Sequence, residues 1–432
     1  MSAFSQTQSA RLVKLMELSD ILLKTGNAGA FVAENKDFLS CVLPSDFIAL
    51  FDRVVLEGHT MDEIKVLTNK LLNIFHSGIR DYKRLEPPPG SFLELLEQNN
   101  RRMELLLDKI RPVFKAFVKD PDEASLRKEL LSLFSELELF VQHYTIKENV
   151  MFPLLEEQWQ DYRCVQIMWS FHDDIRRNIK FVLAQLAEDK LELKSFNKAV
   201  GDIFFNMLAI KFREERILFP HMLATLAEEH FESMSRTAAE LTYPFVQPES
   251  LTAGVSDISP AENTNTKDRS AAASGAGKTS NSDQLSPAGN TPLSWEEPAR
   301  LNLGTGSLSI EQIKLVFNHL PVDITYVDEH NKVRYFSAPK KRIFPRTTAV
   351  IGREVSNCHP PESVHVVEKI VESFKKGQQD RATFWIKMRG EMIYIQYFAV
   401  RGAEGEYKGV LEVSQEVSEI QSLEGEKRLL DW

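Results

Sequence analysis

Apolar residues recur at helical spacing through the first 245 positions and at strand spacing after about position 320, so the chain changes character along its length. Leu12, Leu15, Met16, Leu22 and Leu23 make one helical stripe. Ser45 stands where it can cap a second, carrying Phe47, Leu50, Phe51, Val54 and Val55, and Gly58 stops it. Thr60 with Glu63 reads as a capping box for a third, holding Ile64, Leu67, Leu71, Leu72 and Phe75. The run Pro87-Pro88-Pro89-Gly90 then breaks any helix. Beyond it, Ser91 and Glu94 read as another capping box ahead of a stripe of Phe92, Leu95, Met103, Leu107, Ile110, Phe114 and Phe117. Three further helices, at about 123–157, 161–189 and 195–227, have lengths and spacings that suit an antiparallel four-helix bundle.

From Gln247 to about Gly306 the composition shifts to Ser, Thr, Asn, Ala, Gly and Pro, with no aromatic residue between 251 and 290. Such a segment cannot bury enough apolar surface to offset its ordering entropy and reads as a flexible linker. After it, Asp323 to Asp328 and Val333 to Phe336 flank a polar turn as a hairpin, and three longer alternating runs follow a helical segment at 362–376. The expected organisation is multidomain: an all-α module over 8–86, the four-helix bundle over 91–245, a linker over 246–305, and an α+β domain with an antiparallel sheet over 306–426.

Composition narrows the possibilities. The 432 residues carry 52 basic and 62 acidic side chains, a net charge of −10, so nucleic acid and anionic lipid should be repelled. No apolar run is long enough for a membrane span, and the first residues lack an apolar signal core. Cys41, Cys164 and Cys358 are odd in number and scattered, which suits a reducing, cytoplasmic setting without disulfides. Phosphate-binding loops, dinucleotide fingerprints, nucleophile elbows and kinase motifs are all missing.

Within the bundle, Lys147-Glu148-Asn149-Val150-Met151-Phe152-Pro153 is echoed 67 residues later by Glu214-Glu215-Arg216-Ile217-Leu218-Phe219-Pro220. A repeat at that period suggests two related helical hairpins. His143 precedes the first copy, where Ile210 precedes the second, and His172 follows in Met168-Trp169-Ser170-Phe171-His172-Asp173-Asp174-Ile175-Arg176. On these motifs the segment resembles the hemerythrin-like, cation-binding domain. Val55-Leu56-Glu57-Gly58 followed by Met61-Asp62-Glu63-Ile64 resembles the helical module known as domain of unknown function 438. The resemblance implies a non-haem iron, or another divalent metal, held by inward histidines and carboxylates. The fourth helix offers only Glu214 or Glu215, and the best such set here is His143, Glu148, His172 and Glu215. Residues five apart on an α-helix lie about 140° off one face, so Glu148 and Glu215 would have to swing inward. The competing reading makes these side chains a structural network, in which His143 bonds a carbonyl or carboxylate and Glu148 and Glu215 pair with Arg176 or Arg213.

In the last region, Leu320 to Asp328, the hairpin, Ile351-Gly352-Arg353 and the Cys358-His359-Pro360-Pro361 turn resemble a PAS domain. That resemblance implies a sensor with an apolar pocket, in which His359 or His365 would ligate haem or face a small ligand. Cys358, before a helix, is either an activated thiolate or an inert half-buried thiol. The expected function is a cytoplasmic sensor without enzymatic turnover. It would detect a gas, redox state or small ligand and relay it to a protein partner, or to a second copy through the PAS domain. A nitric-oxide, oxygen or iron-handling protein and a metal-free scaffold are the alternatives.

Overall fold

The computed structural model describes residues 7–188, 191–248, 299–388 and 390–426. Most of the expected linker, 249–298, lies outside the described residues.

The first module comprises α1 (Gln8–Thr25), the short α2 (Gly29–Glu34) and α3 (Lys36–Leu39), then α4 (Asp46–Leu56) and α5 (Met61–Asp81). Thr60 and Glu63 form the expected capping box at α5, and Gly58 turns the chain at φ +81°. Ser45 makes no side-chain cap. The start of α4 is held instead by buried Asp46, which accepts from the Leu43 N–H at 2.8 Å and from Arg11 at 2.6 and 3.0 Å. The bundle follows as α6 (Phe92–Lys119), α7 (Ala124–Glu138) and α8 (Val141–Ile146), then α9 (Phe152–Gln158), α10 (Cys164–Ala187), α11 (Leu193–Arg213), α12 (Phe219–Thr225) and α13 (Glu228–Ala238).

These two regions share one continuous core running from Leu15 to Tyr243, because the apolar faces of α4 and α5 pack on α10. Ion pairs of Lys65 with Asp174 (2.9 Å) and Arg163 with Asp52 (3.0 Å) lie across the junction. The PAS region has α14 (Ile310–His319) ahead of a five-stranded antiparallel sheet. Its strands β3 (Asp323–Asp328), β4 (Val333–Phe336), β5 (Arg381–Met388), β6 (Glu391–Arg401) and β7 (Tyr407–Glu416) pair in the order β4-β3-β7-β6-β5. Asn331 takes φ +62° in the tight β3–β4 turn. Helix α15 (Pro361–Lys375) lays Val367, Val371 and Phe374 against Val327, Val333 and Val410, a second and smaller core. A two-stranded ribbon, β1 (Arg300–Asn302) with β2 (Ser307–Ser309), leads into the domain.

Candidate functional site

The repeat has a backbone signature. In each copy the α-helix opens into one π-turn, π1 over Lys147–Met151 and π2 over Glu214–Leu218, and resumes at Phe-Pro. Proline explains both. Pro153 and Pro220 have no N–H and their rings crowd the carbonyl four residues back, so the helix widens to i→i+5 bonding to pass them. The missing donors leave carbonyls to be satisfied elsewhere, since buried backbone groups are almost always paired. In the first copy the PAS domain supplies the partners: Arg353 donates from Nη1 to the Glu148 carbonyl at 3.3 Å, and Thr347 donates from Oγ1 to the Asn149 carbonyl at 2.6 Å. In the second, Arg84 of the first module donates to the Glu215 carbonyl at 2.7 Å. Glu215 stands five residues before Pro220 as Glu148 stands before Pro153.

The wide turns also decide which side chains point inward. Between the helices His143, Lys147, His172 and Glu214 are fully buried, and Glu148 almost so. The Lys147 ammonium donates to Glu214. His172 donates from Nδ1 to Glu148 Oε1 at 2.8 Å, and Arg176 grips both Glu148 oxygens at 2.8 and 2.7 Å. Tyr144 stacks on His172 with ring centres 4.2 Å apart, and Lys147 lies 4.7 Å from its ring. Burial lowers His143 to about 4 and His172 to about 3, the Lys147 charge adding to both, so both imidazoles are neutral near pH 7. Burial works against ionising Glu148 and Glu214. Arg176 with His172 outweighs it for the first and Lys147 for the second, holding each to about 2.

A resident metal ion fits this donor set poorly. Two imidazoles are available: neither nitrogen of His143 has a hydrogen-bond partner, nor has Nε2 of His172, and each neutral ring offers one lone pair. The carboxylates are not. Glu148 is taken by Arg176 and Glu214 by Lys147, so two anions already face two cations and the cluster is neutral. A divalent ion would add two uncompensated charges among side chains buried from bulk solvent, which is costly. Among the described residues, no three His, Cys, Asp or Glu side chains converge closely enough to hold a metal ion.

Of the four residues expected as ligands, His143, Glu148 and His172 do meet in this centre, whereas Glu215 does not. Its carboxylate faces Lys211 at 3.2 Å and Asn100 at 3.3 Å on the flank of the bundle, and its neighbour Glu214 turns inward instead. Lys147 escaped the sequence reading, and Glu214 was offered there only as the alternative to Glu215, although the repeat aligns Lys147 with Glu214. Of the structural network expected instead, Glu148 does pair with Arg176, whereas the His143 ring makes no hydrogen bond and Arg213 donates to Asn69 at 2.5 Å.

In the PAS domain His359 is held by the Val355 carbonyl at 2.8 Å. It lines a cavity of about 20 Å³ with Val327, Val367, Val371, Tyr397 and Glu412. That is room for about one water and not for a haem. His365 is exposed on the outer side of α15 and does not reach this interior, so neither histidine is placed to ligate a haem there. Cys358 closes a short 3₁₀ turn before α15, where burial pushes its thiol pKa up, against the activated reading.

Residues 91–221 match the Hemerythrin HHE cation binding domain, and residues 313–418 match a PAS domain. The chain therefore joins a hemerythrin-type bundle to a C-terminal PAS domain, a pairing that points to a sensor or signalling role. Both matches begin after residue 86, the end of the expected first module. Among solved structures, a C-terminal domain from Streptococcus mutans is 34% identical over 29% of this chain and 98% of its own, with a TM-score of 0.28. The PAS domain of a protein from Colwellia psychrerythraea is 16% identical over 25% of this chain and 97% of its own, with a TM-score of 0.21. No curated protein matches the chain. Among the described residues, no helix is long and apolar enough to cross a membrane.

Proposed function

We propose that this is a non-enzymatic relay protein in which the buried centre of the bundle receives a signal and the two flanking domains read it out through the π-turns. One observation carries the reading. An arginine from each flanking domain, Arg353 from the PAS domain and Arg84 from the first module, binds the corresponding carbonyl in each copy of the repeat. Both arginines are anchored by acids, Arg353 to Glu156 at 2.7 and 2.6 Å and Arg84 to Glu97 at 2.6 Å. A change in how Glu148 is held must therefore move the carbonyl that Arg353 grips, which is a mechanical link of one residue. The side chains of the centre are buried from solvent, which favours relay over turnover.

The output is a protein partner, with a second copy of this chain as the first candidate. Helix α14 buries none of its residues although it carries Ile310, Leu315, Val316 and Phe317. The net charge of −10 disfavours nucleic acid as the receiver. Three free cysteines suit a cytoplasmic setting. The test is hydrogen exchange on the full chain. Glu148→Gln is expected to speed exchange over 347–359, and Arg353→Gln is expected to remove that response. Unchanged exchange in Glu148→Gln would overturn the relay. Light scattering tests the partner, a monomeric mass at all concentrations ruling out the second copy.

A further inference from the structure

The disagreement between this bundle and a metal-binding one has a specific chemical origin. The two copies of the repeat place positions 147 and 214 opposite each other at the centre of the bundle, 67 residues apart in sequence. Two carboxylates there would form an anionic pocket beside the partnerless nitrogens of His143 and His172, which is the chemistry that captures a divalent cation. One of the two positions is lysine. Its four-carbon stem carries an ammonium onto Glu214, where a cation would otherwise sit, and Arg176 does the same for Glu148. We propose that the cation of this cation-binding fold is supplied by the chain itself: the Lys147 ammonium stands at Glu214 in place of a metal, and its charge is the chief obstacle to metal uptake at the centre. This concerns the occupant of the centre and does not depend on whether the arginines relay its state.

The free imidazole nitrogens fit this account. The Lys147 ammonium is turned to Glu214 and to the face of Tyr144 and bonds neither ring, so the imidazole nitrogens that a metal would take stay free. Lys147→Glu changes the charge of the cluster by two and supplies a further oxygen donor without touching His143, His172 or Glu214.

The experiment is metal quantitation on the full chain after anaerobic incubation with Fe(II), and separately with Co(II), followed by desalting. Wild type is expected to retain less than about 0.1 equivalent and Lys147→Glu about one, with a rise in melting temperature and a Co(II) ligand-field spectrum showing nitrogen and oxygen donors. Lys147→Gln, which removes the charge at similar volume, covers failure of the acidic variant to fold. It is expected to take up metal more weakly than one equivalent but well above wild type. Retention of about half an equivalent or more by wild type would overturn the proposal, as would a folded variant that takes up none. Loss of the hydrogen-exchange response in the relay experiment would leave this result standing.

Discussion

The two copies of the repeat share a backbone and differ in charge. Both widen into a π-turn ahead of Phe-Pro, both surrender a carbonyl to an arginine from another domain, and both aim their first residue at the centre. The first copy contributes His143, Lys147 and Glu148, the second Ile210, Glu214 and Glu215. Two equal copies would repel and need an ion from solution. Unequal ones neutralise each other. The difference shows how a duplicated scaffold can keep its geometry and its buried polar centre while removing the demand for a metal.

Removing one member of the central pair is expected to break this complementarity most severely. Lys147→Met leaves Glu214 ionised and alone, and should cost about 3–5 kcal/mol in urea denaturation of the bundle. The double variant Lys147→Met with Glu214→Leu should recover most of that loss, since a buried pair is often replaceable by apolar groups. A loss equal to the sum of the single variants would show that the two do not act as a pair. The flanking glutamates come next. Glu148→Gln should cost about 2–4 kcal/mol by weakening the hold on Arg176 and His172, whereas its counterpart Glu215→Gln should cost under about 1 kcal/mol. Equal effects would mean that the copies are equivalent after all.

Smaller again is the gain of symmetry in Ile210→His, which buries a third imidazole at the centre and should cost about 1–3 kcal/mol of stability in urea denaturation. The smallest effect lies outside the bundle. Burial lowers the pKa of His359, Glu412 and the Val355 bond opposing this and Arg346 and Arg353 adding to it. A histidine whose folded pKa is lowered contributes stability above the unfolded value, about 6.5, that is lost as the pH falls. The PAS transition should thus melt roughly 1–3 °C lower at pH 5 than at pH 7.5, and His359→Asn should shrink the difference, as calorimetry would show.

Much of the architecture was legible in the sequence because it rests on local rules. Thr60 and Glu63 cap α5 as their spacing requires, and the Asn331 turn joins two β-rich runs. The site was legible only in part. His143, Glu148 and His172 came from the motif, but counting at 3.6 residues per turn put Glu148 and Glu215 off the inner face and gave no reason to prefer Glu214. The π-turns reset that count, and they arise from the prolines at 153 and 220, which the sequence displays without revealing that the helix would widen rather than break. Arg84 and Arg353 were invisible as partners because they bind carbonyls, which carry no side-chain signature.

By itself the sequence determined the succession of domains, the repeat and the opposite charges at its two equivalent positions, since periodicity, capping and composition act over short distances. Tertiary structure decided what those charges do. Only packing brings position 147 onto position 214, excludes the water that would screen them, and so turns a lysine among glutamates into a cation that occupies the centre of the bundle. Packing also merges the first module with the bundle in one core, where the sequence marked a boundary at Pro87.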